Sequence, residues 1–312
     1  MTRRIPLVLL IGIAAAALAS GVAGCKGDDG FSSASSDTDT FDHEFALDER
    51  CPLEDRYGAF EIGHHPLYSN VRGQVKDGVN PVTIWHPEQE AGNCQLLRKI
   101  HPECDPACGG GETCDHDGEC IPFPSNVSVG TVNVYGLEQD ISLEPNAVGD
   151  YEDNDVPSPP FAPGEQILLH AAGDEVSEFF LDAVGVEPLE LVDDEWVIVR
   201  DEALAVQEDL EIMWVPADGG ATIMATLMID QHGNSPVTMV CYFEDTGSAT
   251  IPKSLLQTFT EWGVTGYATG NLYRQTFDST ETSLGCVDLQ LFSRVQAALS
   301  VTNHDPTVVP GD

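Results

Sequence analysis

Eight cysteines between residues 51 and 286 constrain this chain more than any other feature of its 312 residues. An even set in an exported protein reads as disulfides, which form and persist only in an oxidising compartment. Eight cysteines allow on the order of a hundred connectivities, but their grouping narrows them. It suggests Cys51 with Cys94, Cys241 with Cys286, and two bridges among Cys104, Cys108, Cys114 and Cys120. Each bridge contributes about 2–4 kcal/mol. The cluster spacing C-x3-C-x5-C-x5-C lacks the paired C-x2-C knuckles of a zinc ribbon, so pairing is preferred to metal.

The ninth cysteine, Cys25, stands apart from this pool. Arg3 and Arg4 precede an apolar run from Leu7 to Ala19, of signal-peptide length and too short to span a bilayer. The run leads to Val22-Ala23-Gly24-Cys25, which resembles a bacterial lipobox. That resemblance implies removal of residues 1–24 and lipidation of Cys25, with acyl chains each burying CH₂ groups at about 0.8 kcal/mol apiece. Residues 25–50 are rich in Ser, Thr and Asp and read as a disordered acidic tether. The expected address is the cell envelope, with a lipid anchor in the outer membrane. Asp28 and Asp29 are compatible with surface export and Lys26 with inner-membrane retention, so the face stays open.

Charge excludes some partners. The chain carries 52 Asp and Glu against 13 Lys and Arg, a formal net charge of -39. Such a surface repels nucleic acid and anionic lipid and attracts cations. Between Lys99 and Arg200 there is no Lys or Arg, whereas Arg50, Arg56, Arg72, Lys76, Arg98 and Lys99 crowd the stretch before it. This asymmetry leaves two arrangements open: a basic N-terminal piece docked on an acidic remainder, or independent beads.

Along the chain, residues 51–100 read as a small β segment with strands at Gly58–Ile62 and Val71–Val75, the second closing on a Lys76-Asp77-Gly78 turn. Residues 101–124 read as a cysteine knot similar to half of an epidermal-growth-factor module. Residues 125–302 read as an immunoglobulin-like β-sandwich, with strand runs at 127–134, 166–170, 178–181, 196–200, 210–215, 221–229 and 237–243. One short helix begins near Pro252 and ends near Gly263. Strands at 272–274 and 287–292 follow, and residues 303–312 form a tail. The predicted fold class is mainly β.

Few residues offer chemistry. Asp245-Thr246-Gly247-Ser248 matches the aspartic-protease tetrapeptide, but that chemistry needs a second carboxylate to share the proton, and no second copy exists. Asp230, His232 and Asn234 place acid, imidazole and amide on one loop and are the first-choice ligand-binding residues. Calcium is the candidate ion, because Asp115, Asp117 and Glu119 alternate in a cysteine-clamped turn, and Asp150, Glu152, Asp153 and Asp155 crowd another loop. His64-His65, His86 and His101 lack the convergence that a metal site needs.

The run Cys104-Asp105-Pro106-Ala107-Cys108, the following Gly-Glu-Thr-Cys and Gly-Glu-Cys-Ile-Pro, and the stretch from Asp230-Gln231-His232-Gly233 to Asp245-Thr246-Gly247-Ser248 resemble cysteine-rich lipoproteins of myxobacteria and their relatives. That family pattern has no assigned activity, so it implies an envelope lipoprotein and carries over no catalytic residue. The resulting expectation is a non-catalytic binding or structural module, its partners the membrane through the lipid and an unidentified extracellular or periplasmic ligand. The rival is a secreted hydrolase with a site around His232 and Asp245.

Overall fold

A computed structural model describes residues 50–229, 237–262 and 268–303. The strands run β1 (Arg56–His64), β2 (Ser69–Val75), β3 (Trp85–Ala91), β4 (Cys94–Lys99), β5 (Glu112–Cys114), β6 (Cys120–Pro122), β7 (Val132–Tyr135), β8 (Ile141–Leu143) and β9 (Tyr151–Asp153). They continue as β10 (Gln166–Ala171), β11 (Phe179–Val184), β12 (Glu195–Arg200), β13 (Leu210–Met213), β14 (Thr222–Met228), β15 (Val237–Glu244) and β16 (Ser248–Ile251). Helix α1 (Lys253–Glu261) precedes β17 (Thr269–Glu281) and β18 (Cys286–Asn303). Among the described residues the fold is mainly β, about half strand, with one α-helix.

Strand β18 is the spine. Val287, Leu289, Leu291, Val295, Ala297, Leu299 and Val301 alternate with Asp288, Gln290, Phe292, Arg294, Gln296 and Ala298, and period-two alternation sends the two sets to opposite faces. One flank of β18 pairs with β17 over its length, and the other takes two parallel neighbours end to end, β1 and then β12. The large sheet runs β3-β4-β15-β14-β17-β18-β1-β2-β9 with β12 attached to β18.

The apolar face carries two cores. At one end Phe60, Ile62, Val71, Val75, Leu289 and Leu291 pack on Val132, Val134, Ile167, Leu169 and Leu181 of a second sheet, β11-β10-β7-β8. At the other, Leu96, Ile223, Leu227, Met239 and Leu272 meet Trp196, Ile212, Trp214 and Ile251. Leu255, Leu256 and Phe259 of α1 close this core. Asp209 Oδ1 accepts from Lys253 N at 2.7 Å and satisfies the helix start from outside.

Sheet pairing rearranges the long-range disulfides expected from sequence. The bridges are Cys51–Cys286 and Cys94–Cys241, not Cys51–Cys94 and Cys241–Cys286. Parallel pairing of β1 with β18 brings Cys51 to the start of β18, and antiparallel pairing of β15 with β4 sets Cys94 opposite Cys241. The clustered four do pair among themselves, as Cys104–Cys114 and Cys108–Cys120.

Other expectations shift as well. Residues 51–100 and 125–302 contribute strands to one sheet, so the basic stretch is woven into the acidic remainder rather than forming a separate bead. The turn at Lys76-Asp77-Gly78 closes no hairpin, because β2 pairs onward with β9 and Asp77 bonds Ser125 instead. The expected strand over 127–134 begins only at Val132. Gly130 adopts φ +73°, and a Cβ there would stand 2.6 Å from the Gly173 carbonyl oxygen. Pro252 caps α1 rather than starting it.

Candidate functional site

The face of β18 opposite the cores is not the solvated surface that alternation usually leaves. Asp288 is 1% exposed, Gln290 9% and Phe292 4%, and on neighbouring β17 Gln275 is 1% exposed. A cavity on this face is lined from β2 across β1, β18 and β17 to β14, so the face is concave.

Segments before β1 and between β1 and β2 fold over its two ends. At one end Asp288 Oδ1 accepts from Cys51 N at 2.8 Å. Its Oδ2 lies 2.8 Å from Arg56 Nε and 3.6 Å from Arg50 Nε, as ion contacts rather than aligned hydrogen bonds. Burial pulls Arg56 below its ordinary range and Arg50 adds to the shift, against the opposing charges of Asp288 and Glu61. The Arg50 guanidinium also covers the Phe277 ring at 4.3 Å.

At the other end the β1–β2 connection lays His65 and Tyr68 over Phe292. His65 stacks on Tyr68 at 4.3 Å and meets Phe292 edge-on at 5.4 Å. Gly63 makes this approach feasible, since a Cβ there would lie 2.6 Å from Phe292 Cζ. His65 Nε2 contacts Asn70 Oδ1 at 3.1 Å. In the tautomer that satisfies this contact, Nε2 donates and Nδ1 is left as a buried acceptor without a partner. Burial pulls the His65 pKa down, the Asn70 bond opposes this, and Arg294, Arg72 and His64 reinforce it.

A cavity of about 220 Å³ opens beside this connection, lined by Glu61, His65, Asn70, Arg72, Gln290 and Arg294 together with Tyr68, Tyr273, Phe292 and Met224. Through Glu61 and Arg72 it adjoins a groove of about 530 Å³ that reaches Arg56, Lys76, Asp150 and Glu152. Four cations, Arg56, Arg72, Lys76 and Arg294, line this continuous depression against three acids, Glu61, Asp150 and Glu152. The whole chain has 13 basic residues against 52 acidic, so positive charge is concentrated here several-fold. Arg72 pairs with Glu61 at 2.5 Å, whereas Arg294 has no acidic partner among the described residues and only overhangs Tyr273 at 6.0 Å.

Of the residues selected from sequence, Asp150 and Glu152 line this depression. Asp230, His232 and Asn234 lie outside the described residues, as does Cys25. Asp245 is walled in: Trp214 Nε1 donates to Oδ1 at 2.7 Å and Arg274 Nε donates to Oδ2 at 2.6 Å. Among the described residues neither a second carboxylate nor a nucleophile is seen bonding it, and its tetrapeptide is a turn with a buried anchor. The hydrolase reading loses Asp245 as an accessible acid.

The two acidic runs do not converge on an ion either. Among the described residues no three of Asp115, Asp117, Glu119, Asp150, Glu152, Asp153 and Asp155 bring carboxylates together at ligand spacing. Asp115 Oδ1 instead accepts from the backbone of Asp117 and Glu119, and Asp153 Oδ1 from Asp155 N. Part of the second run is not a loop at all, but edge strand β9, with Glu152 opposite Arg72.

Sequence reasoning missed Glu61, Tyr68, Arg72, Tyr273, Gln290 and Arg294. The signal was present in Asp288, Gln290, Phe292 and Arg294, an i, i+2 series with charge at both ends, opposite Val287, Leu289, Leu291 and Val295, a series interrupted only by Ser293. Compared with family models, with curated proteins and with solved structures, the chain matches none.

Proposed function

We propose that this protein is an envelope lipoprotein, anchored through Cys25, that acts as a non-catalytic binding module and receives its ligand in the concave outer face of the large sheet. The observation that carries the reading is the cavity beside His65, where rings, amides and an acid-free guanidinium converge on one concave surface. Binding sites combine apolar walls with a few placed polar groups in this way. The lipobox-like Val22-Ala23-Gly24-Cys25 and the acidic tether support the anchor. A tether suits a domain of strong negative charge, which an anionic bilayer repels within a Debye length.

Two measurements test the two halves. Cys25→Ala moves the protein from membrane to soluble fractions, and retention in the membrane would sink the anchor. A fragment screen read by protein NMR on residues 50–303 within the lipid-free chain gives shifts grouped at His65, Tyr68, Tyr273 and Arg294. Shifts grouped elsewhere would remove this face as the ligand seat.

A further inference from the structure

We propose that the cavity beside His65 binds a sugar ring carrying one carboxylate, such as a hexuronic acid residue. This rests on the binding-module reading above and names its ligand.

Charge sets the anion count. The cavity lining holds Arg72, Arg294 and Glu61 as its permanently charged groups, and the Arg72–Glu61 contact cancels one cation. One guanidinium, that of Arg294, is left over. A planar guanidinium matches a carboxylate with two parallel N–H donors. A ligand with several charges gains one such partner and then meets the field of a protein with net charge -39, which disfavours it. A single carboxylate is the best match.

The uncharged lining selects the rest of the ligand. Asn70 Oδ1 and Gln290 Nε2 already bond His65 and Gln275, which leaves the Asn70 amide as a donor and the Gln290 carbonyl as an acceptor for hydroxyls. Tyr68 is stacked on His65 yet 51% exposed, and Tyr273 also lines the space. Such rings present apolar faces to the C–H faces of a pyranose while the amides meet its rim of hydroxyls. At about 220 Å³ the cavity lies below the roughly 300 Å³ at which sites for drug-sized ligands begin, so it takes one ring. The adjoining groove of about 530 Å³ gives further residues of an oligomer somewhere to run.

The test uses the lipid-free chain with galacturonate and glucuronate as probes, and galactose, glucose and acetate as controls, by titration calorimetry and thermal shift. Saturable binding of a uronate that raises the melting temperature is expected, at least tenfold tighter than the matching neutral sugar. Arg294→Gln weakens it at least tenfold without changing the melting temperature of the free protein. Tyr68→Ala weakens it several-fold, and Lys253→Gln, which removes an exposed charge outside the cavity, leaves it unchanged. Absence of saturable binding by either uronate, equal binding of acetate, or undiminished binding by Arg294→Gln would each overturn the proposal. If the uronates fail while NMR fragments still perturb the cavity, the ligand class is wrong and the binding seat stands; if both fail, the seat is lost too.

Discussion

Arg274 on β17 grips Asp245 in a buried, two-pronged ion pair, Nε to Oδ2 at 2.6 Å and Nη2 to Oδ1 at 3.2 Å. The same guanidinium donates from Nη1 to the carbonyls of Glu187 and Pro188 and from Nη2 to that of Val215. Trp214 completes the shell around Asp245. One side chain thus ties the β15–β16 turn and two loops to the central hairpin of the sheet. Its position explains why a protease-like tetrapeptide occurs here without protease geometry.

Removing one partner leaves the other as an uncompensated buried charge. Asp245→Asn is expected to destabilise the fold by about 3–5 kcal/mol, read as a lower urea midpoint with an unchanged m-value. A loss under about 1 kcal/mol would mean that Arg274 finds another counter-charge.

Peptide mapping under non-reducing conditions should recover Cys51–Cys286 and Cys94–Cys241 as linked pairs. These bridges span 235 and 147 residues of sequence. Removing either is expected to destabilise by about 2–5 kcal/mol, more than loss of Cys104–Cys114, which spans 10. Recovery of Cys51–Cys94 would contradict the parallel pairing of β1 with β18.

Gly63→Ala places a methyl group against the buried end of Phe292. Overpacking of this kind is expected to destabilise by about 1–3 kcal/mol and to displace His65 from its stack on Tyr68. Thermal melts together with the NMR shifts of the His65 ring check both effects.

Burial holds His64 and His65 below the ordinary imidazole pKa. The unfolded chain therefore binds more protons than the native one between the native values and about 6.5. The stability linked to these rings is fully present above that unfolded value. It declines as pH falls through the window and is gone once pH passes the native values. Melting temperatures between pH 7.5 and 5 should fall more steeply for the wild-type chain than for His65→Gln. Parallel curves for the two proteins would show that His65 contributes nothing to the slope.

Added calcium or a chelator should leave the melting temperature unmoved as far as Asp115, Asp117, Glu119 and the 150–155 run are concerned. The Asp115 and Asp153 carboxylates already bond turn amides, and a ligand of the native state must raise its stability. A shift that vanishes in Asp115→Asn would restore the first of these runs as an ion site.

Much of the strand content was legible because alternation is local. Val237, Met239, Cys241 and Phe243 share a face in the sequence and in the core alike, and the spacing of Leu255, Leu256 and Phe259 announced α1. The short strands β9 and β16 were not legible, since partners distant in sequence, β2 and β13, hold them. The candidate site was less visible still: Glu61, Arg72, Gln290 and Arg294 are ordinary outward-facing strand residues until the sheet sets them around one cavity.

By itself the sequence determined a β-rich, disulfide-braced chain of extreme acidity, because periodicity, cysteine number and charge are properties of residues and their near neighbours. Tertiary structure decided which cysteines meet, that Asp245 is an anchor, and that four scattered cations line one depression. Those outcomes follow from β18 taking β1 and β12 as parallel neighbours, a pairing between residues some hundred to more than two hundred positions apart that no local pattern encodes.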